Sequence, residues 1–348
     1  MLRRAGRRSR ARRGPTLALG GAGYVAIVHA LAAEAAGIRV RSVASAGGRS
    51  ARHLAGELDA RRARPEHLPD GADLLVVATP PASHLELALQ GLHAGASVLV
   101  EKPLTPTLAE ADRLVEAVES AGAGDRVRCA ENLLHSPAWL VAIERRAPLG
   151  TLTHLSLRAV QPAPEWGHFQ QPLTAGGVLF DLGPHPVAIA LELAGEEPVG
   201  VAAELTSTRA DGADDRAELR LRFASGLVAT LAVSWRAEDT VWDAQAASDT
   251  GVLRMELLPE VLVEADGEPV EVPSRHRVPD PRLEQLGYVD QLLDMVSGAP
   301  VHAQRVEAAR RVLEVICAAY ASAGAGGTEV ALPFEGDRDA TPMRLWRG

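Results

Sequence analysis

TLALGGAGYVAIVHALAAEAA, Thr16 to Ala36, runs from a short apolar stretch through a glycine turn into a helix-period segment. Gly21-x-Gly23-x-x-Ala26 meets the G-x-G-x-x-G/A pattern with alanine in the third place. The first glycine makes the turn, the second lets backbone approach a pyrophosphate, and a small third residue lets the helix pack closely on the sheet. Alone the pattern is weak, because any glycine-rich strand-to-helix turn satisfies it. The chain downstream of the turn gives it weight. Apolar runs at 38–44, 73–79, 97–102 and 126–132 alternate with helix-period segments at 83–94 and 107–121. That alternation predicts a doubly wound parallel sheet with crossover helices. Thr107-x-x-Glu110 is a capping box and predicts that a helix starts just after the fourth strand.

Beyond about Gly150 the texture changes. Strand-like runs crowd together at 151–160, 198–207, 217–223, 227–235, 251–258 and 261–265, and Ser225-Gly226 marks a hairpin between two of them. Helices are predicted at 186–195, 283–298 and 306–323. The expected fold is therefore α/β: a Rossmann domain over 14–132, then an α+β domain over 133–348 with a large, mostly antiparallel sheet. The helix near 303–323 is expected to pack back on the first domain. The loop 161–177 is long and proline-rich, contains Trp166 and His168, and reads as a lid.

Composition narrows the function classes. The formal charge is −9, but seven of the first thirteen residues are arginine, so the remainder carries 29 basic against 45 acidic residues. An acidic body repels nucleic acid, and no run is long enough to span a membrane. The arginine stretch lacks the apolar segment and cleavage site of an export signal, so residues 1–13 read as a disordered basic tail. Cys129 and Cys317 each lie in apolar segments, which suits buried thiols in a reducing cytoplasm. No His, Cys and carboxylate cluster has metal-ligand spacing, so no metal is expected.

Lys102 is the sole lysine beside 35 arginines. It ends a strand at the edge where open α/β sheets place their ligands, and it precedes Pro103, whose peptide bond can be cis. Asp181 and His185 are four residues apart in a glycine-flanked segment, a spacing that sets both on one side of a helix start. An imidazole exchanges protons near neutral pH, as hydride transfer to or from an alcohol carbon requires. The second strand ends without a carboxylate for a ribose 2′-hydroxyl, offering Ser45 and Arg49 instead. That favours NADP(H) over NAD(H).

Taken together, GGAGYVA (20–26), the 76–104 segment ending VLVEKPL, and GGVLFDLGPHP (176–186) resemble the Gfo/Idh/MocA family of glucose-fructose oxidoreductase and inositol dehydrogenase relatives. The resemblance covers nearly the whole chain and weakens through 190–280. It implies NAD(P)-dependent oxidation or reduction of a sugar, keto-sugar or cyclitol, with Lys102, Asp181 and His185 as the catalytic set. It also implies a homodimer or homotetramer built through the second domain's sheet. The expected cofactor-binding residues are Gly21, Gly23, Tyr24 and Val25 of the turn, Ser45 and Arg49, Thr79, Pro80 and His84, and Glu101 with Lys102. Asn132 and Trp166 are expected to join Lys102, Asp181 and His185 around a small polar substrate. Many members carry a further acid three residues after the histidine, where this chain has Ala188. A non-catalytic nucleotide-binding regulator, or a reductase of an imine or linear tetrapyrrole, is the alternative reading.

Overall fold

The structure, a computed structural model, describes residues 14–165 and 176–348. The basic tail and Trp166 and His168 lie outside the described residues. Strands β1 (Thr16–Gly20), β2 (Arg39–Ala44), β3 (Arg61–Arg62), β4 (Leu74–Val77), β5 (Ser97–Glu101) and β6 (Val127–Ala130) form a parallel sheet in the order β3-β2-β1-β4-β5-β6. This is the doubly wound order, in which the chain reverses direction between β1 and β4 and opens a crevice at the strand ends. β1 and β4 to β6 are almost wholly buried because both faces are covered, which explains their unbroken apolar runs. Leu75, Val77, Val98 and Val100 face α3 (His84–His93) and α4 (Leu108–Ser120). Leu17, Leu19, Val76 and Leu99 face α1 (Tyr24–Ala35) and α2 (Arg49–Glu57). Thr107 caps α4, its Oγ1 accepting from Glu110 N at 3.3 Å.

The second sheet has nine strands in the order β14-β13-β12-β11-β7-β10-β9-β8-β15. Its members are β7 (His154–Pro162), β8 (Pro198–Thr206), β9 (Arg216–Phe223), β10 (Val228–Ser234), β11 (Arg236–Ser248), β12 (Gly251–Leu258), β13 (Leu262–Ala265), β14 (Glu268–Pro269) and β15 (Val330–Ala331). Every pairing is antiparallel except β7 with β10. The expected Ser225-Gly226 hairpin joins β9 to β10. β11 is central and is missing from the sequence expectation. Its buried positions toward the core are the small Ala244 and Ala246, while Asp243 and Gln245 face outward, so alternation is present but carries little apolar signal. The helix expected over 283–298 is two helices, Pro281–Gln285 and Tyr288–Ser297. They are divided at Gly287, whose φ is +78° and whose Cβ would overlap backbone at Asn132.

Helices of the C-terminal half return to the parallel sheet. Val289 and Leu292 are fully buried with Leu17 and Leu19, and Arg310 of the helix Val306–Gly324 pairs with Asp112 of α4 at 3.0 Å. That last helix also reaches the segment carrying Asp181. Tyr320 donates to Asp214 Oδ1 at 2.7 Å, and Asp214 Oδ2 accepts from Leu179 N at 2.8 Å at the start of the helix Val178–Asp181. Burial pushes the Asp214 carboxyl up to about 6 despite these hydrogen bonds. A Cβ on Gly177 would overlap both the carboxylate and the carbonyl of Asp214. Gly177→Ala is therefore expected to destabilise the protein by about 1–3 kcal/mol, the usual range for overpacking a closed site. A urea melt unchanged from wild type would show that this helix start has slack.

Candidate active site

The ends of β1, β4 and β5 and the start of α1 open onto a cleft of about 970 Å³ between the two sheets. Gly21 needs its glycine: φ is +115°, and a Cβ would overlap the Ala78 carbonyl. At Gly23 a Cβ would meet nothing within 4 Å, so this backbone lies open to the cleft. α1 has no acid in its first turn and no side-chain cap, which leaves its first N–H groups and positive dipole end for an anion. Gly21, Gly23, Tyr24, Val25, Ser45, Thr79 and Pro80 all line the cleft, and Tyr24 is 57% exposed. The site thus presents the glycine cradle that a dinucleotide's pyrophosphate fits.

Lys102, Asp181 and His185 line the same cleft although 79 residues separate the first two. The Lys102–Pro103 bond is cis. Lys102 Nζ donates to the Asp181 carbonyl and to Asp181 Oδ1, each at 2.8 Å, and its side chain is only 17% exposed. Burial pulls the lysine pKa down, but the charge and hydrogen bond of Asp181, with Glu101 and Glu131 beyond, outweigh it. The net shift is upward, so the group is held as an ammonium. Beneath it, Glu101 Oε2 accepts from Lys102 N at 3.1 Å, and Glu101 Oε1 accepts from His29 Nε2 of α1 at 2.6 Å. Burial raises the Glu101 pKa, yet His29 and Lys102 more than compensate and hold it below the usual carboxylate range.

His185 Nδ1 donates to Glu131, a buried carboxylate just past β6. That bond fixes the ring's tautomer and leaves Nε2 for the cleft. Asp181, four residues earlier, is engaged by Lys102, so the carboxylate bonded to the imidazole is Glu131. Trp242 of β11 stands beside His185 with ring centroids 5.5 Å apart, and its indole N–H is buried without a partner among the described residues. Three carboxylates are thereby matched to three bases: Glu101 to His29, Asp181 to Lys102, and Glu131 to His185.

Other expected residues lie elsewhere. Arg49 is exposed at the start of α2 and is not part of the cleft wall. His84 is fully buried, with Nε2 2.8 Å from Thr79 O and Nδ1 3.1 Å from Pro103 O, so it ties two strand ends together behind the cleft. Burial lowers its pKa against the raising effect of these carbonyls. Asn132 is buried and not part of the cleft wall, donating from Nδ2 to Leu286 O at 2.7 Å. Trp166 lies outside the described residues. Glu131 directly precedes Asn132 and carries a visible sequence signal, a carboxylate at a strand end, yet it is absent from the expected set. Trp242 has no such signal, because its strand is not recognisable locally. Among the described residues, no group of three or more His, Cys, Asp or Glu is placed to hold a metal ion, and no helix is long and apolar enough to cross a membrane.

Two family models match this chain. One, described as an oxidoreductase family with an NAD-binding Rossmann fold, covers residues 16–127, and one described as the GFO/IDH/MocA C-terminal domain covers 143–254. A dTDP-3,4-didehydro-2,6-dideoxy-α-D-glucose 3-reductase of Streptomyces antibioticus is 31% identical over 182 residues, half of this chain and 54% of that protein. The chain thus spans about half the length of that relative. A candidate UDP-kanosamine synthase oxidoreductase subunit of Amycolatopsis mediterranei is 31% identical over 75% of this chain and 81% of its own length. The crystal structure of GenD2 from gentamicin A biosynthesis, in complex with NAD, superposes with a TM-score of 0.79 at 27% identity, covering 94% of this chain and 99% of that one.

Proposed function

Because the chain belongs to the Gfo/Idh/MocA oxidoreductase family, we propose that it is an NADP(H)-preferring enzyme acting on a carbohydrate-like substrate. It transfers hydride between nicotinamide and an alcohol or ketone of a sugar, keto-sugar or cyclitol. The observation that carries this reading is the Lys102–Asp181 pair facing the same cleft as His185 and the glycine turn. A non-catalytic regulator has no use for a buried, acid-matched ammonium beside an oriented imidazole. Relatives named as a deoxysugar 3-reductase and a kanosamine-forming oxidoreductase favour keto-sugars within the class.

The nicotinamide ring, when bound, supplies or takes up the hydride at the reacting carbon. The side chains manage charge and the proton. In the reducing direction Lys102 donates a hydrogen bond to the carbonyl oxygen and stabilises the negative charge growing there. His185 Nε2 delivers the proton that completes the hydroxyl, and Glu131 stabilises the imidazolium before that transfer. In the oxidising direction His185 takes the hydroxyl proton and becomes the imidazolium. Asp181 keeps the ammonium aimed and charged throughout. Residues 14–132 serve the cofactor in this scheme, and 133–348 serve substrate and assembly. The open face of the nine-stranded sheet, crossed by the Arg158–Asp243 pair, would join subunits of a cytoplasmic homo-oligomer.

Absorbance at the reduced-nicotinamide band, followed with a panel of keto-sugars, sugars and cyclitols, tests this directly. NADPH is expected to show the lower Michaelis constant. A clear preference for NADH sinks the cofactor assignment, and no turnover with any panel member sinks the substrate class.

A further inference from the structure

We infer that His29 is a positioning residue for the reaction: from α1 it fixes the Glu101 carboxylate, and through it the backbone from which Lys102 reaches into the cleft. The inference rests on the hydride-transfer scheme above, in which Lys102 meets the reacting oxygen and His29 has no part. His29 is completely buried, and the other buried residues of α1, Ala26, Ala30, Ala32 and Ala33, are all alanine. The helix therefore packs on the sheet with small side chains everywhere except here. Among the described residues the ring makes a single hydrogen bond, Nε2 to Glu101 Oε1 at 2.6 Å, while Nδ1 is buried without a partner. An imidazole kept only to fill space would lose nothing by becoming apolar, because an orphaned buried nitrogen costs stability. Its one polar contact is what distinguishes it.

Glu101 lines the cleft at the end of β5, and its other oxygen accepts from Lys102 N at 3.1 Å. Burial pushes this carboxyl up, and the hydrogen bond and charge of His29 lead the effects that bring it below the usual carboxylate range. The groups facing it are His29 of α1, Lys102 beyond its own strand, His84 of α3, Cys129 of β6 and Tyr288 of the helix Tyr288–Ser297. Among the described residues only His29 and Lys102 bond its oxygens. Tyr288, itself part of the cleft wall, packs edge-on against the His29 ring with centroids 5.5 Å apart. The glycine turn opens the same helix about one and a half turns before His29. One side chain thus ties the cofactor helix, the lysine strand and the C-terminal half together beneath the reacting position.

The test uses the full chain grown on ¹⁵N-lysine. Lys102 is the only lysine, so the protein shows one lysine backbone amide signal, that of the N–H bonded to Glu101. In wild type this charge-assisted bond should hold the proton downfield and unmoved through the neutral range. In His29→Leu burial dominates and Glu101 takes up a proton at neutral pH. The signal should then lie upfield and return as rising pH ionises the carboxyl. His29→Gln, whose amide can donate to the same oxygen, should stay near wild type. Glu101→Gln should move the signal upfield at every pH, and adding His29→Leu should move it no further. Turnover of His29→Leu at neutral pH should fall at least about tenfold with NADPH affinity within about twofold, the scale for a residue acting from behind a functional group. An unmoved signal in His29→Leu, an equal movement in His29→Gln, a further movement in the double variant, or wild-type turnover despite a moved signal overturns the inference. No turnover by wild type on any panel member sinks the reaction instead, and the amide signal still decides whether His29 holds Glu101.

Discussion

Lys102→Arg is expected to lower turnover at least about a hundredfold while direct titration shows NADPH affinity within about twofold of wild type. The charge is retained, so a large loss isolates geometry. Lys102 reaches two oxygens of Asp181 with a compact ammonium, each contact at 2.8 Å, in a site that leaves only 17% of its side chain accessible. A guanidinium is larger and planar, and its donors form a rigid fork. It cannot keep both Asp181 contacts and point a third donor at a reacting oxygen. Lys102→Met makes the complementary point, because Asp181, Glu101 and Glu131 would then share a buried region with one cation fewer. Turnover near wild type in Lys102→Arg would mean that the lone lysine is incidental.

His185→Asn is expected to cost about 10² to 10⁴ in turnover, the range for a positioned proton-transfer group. Asparagine keeps some hydrogen-bonding capacity but cannot carry the proton. Glu131→Gln should cost less, about tenfold, because the imidazole survives and only its tautomer and charge stabilisation are weakened. The decisive measurement is the double variant. If Glu131 acts through His185, then Glu131→Gln in the His185→Asn background changes turnover no further, a coupling that a merely structural carboxylate would not give. Equal losses from Glu131→Gln in both backgrounds would detach Glu131 from the proton step.

The parallel half of the fold was legible because each buried strand is an unbroken apolar run and each crossover helix has its own period. β3 escaped because two arginines carry no pattern, and α2 because only Ala51, Leu54 and Ala55 of its nine residues are buried. In the second half β11 escaped for a related reason: its core-facing alanines are small and its outer face is polar. The candidate site divides along the same line. Residues inside local motifs, such as Gly21, Lys102, Asp181 and His185, could be named from the motifs themselves. Those whose part depends on long-range pairing could not. Trp242, for example, reaches the cleft through the pairing of β11 with β7. Register between strands is decided by the whole sheet, so no local window contains it. His84 and Asn132 show the converse, since polar residues in motif-like positions are here held by backbone carbonyls.

Lys102 is the one side-chain amine in the molecule, and it stands at the floor of the cleft. Among side-chain nitrogens, reagents directed at amines therefore have a single target, the one argued to touch the substrate, and they must first displace its proton and its contacts to Asp181. A feature first visible as a quirk of composition thus confines side-chain amine chemistry on this protein to the cleft.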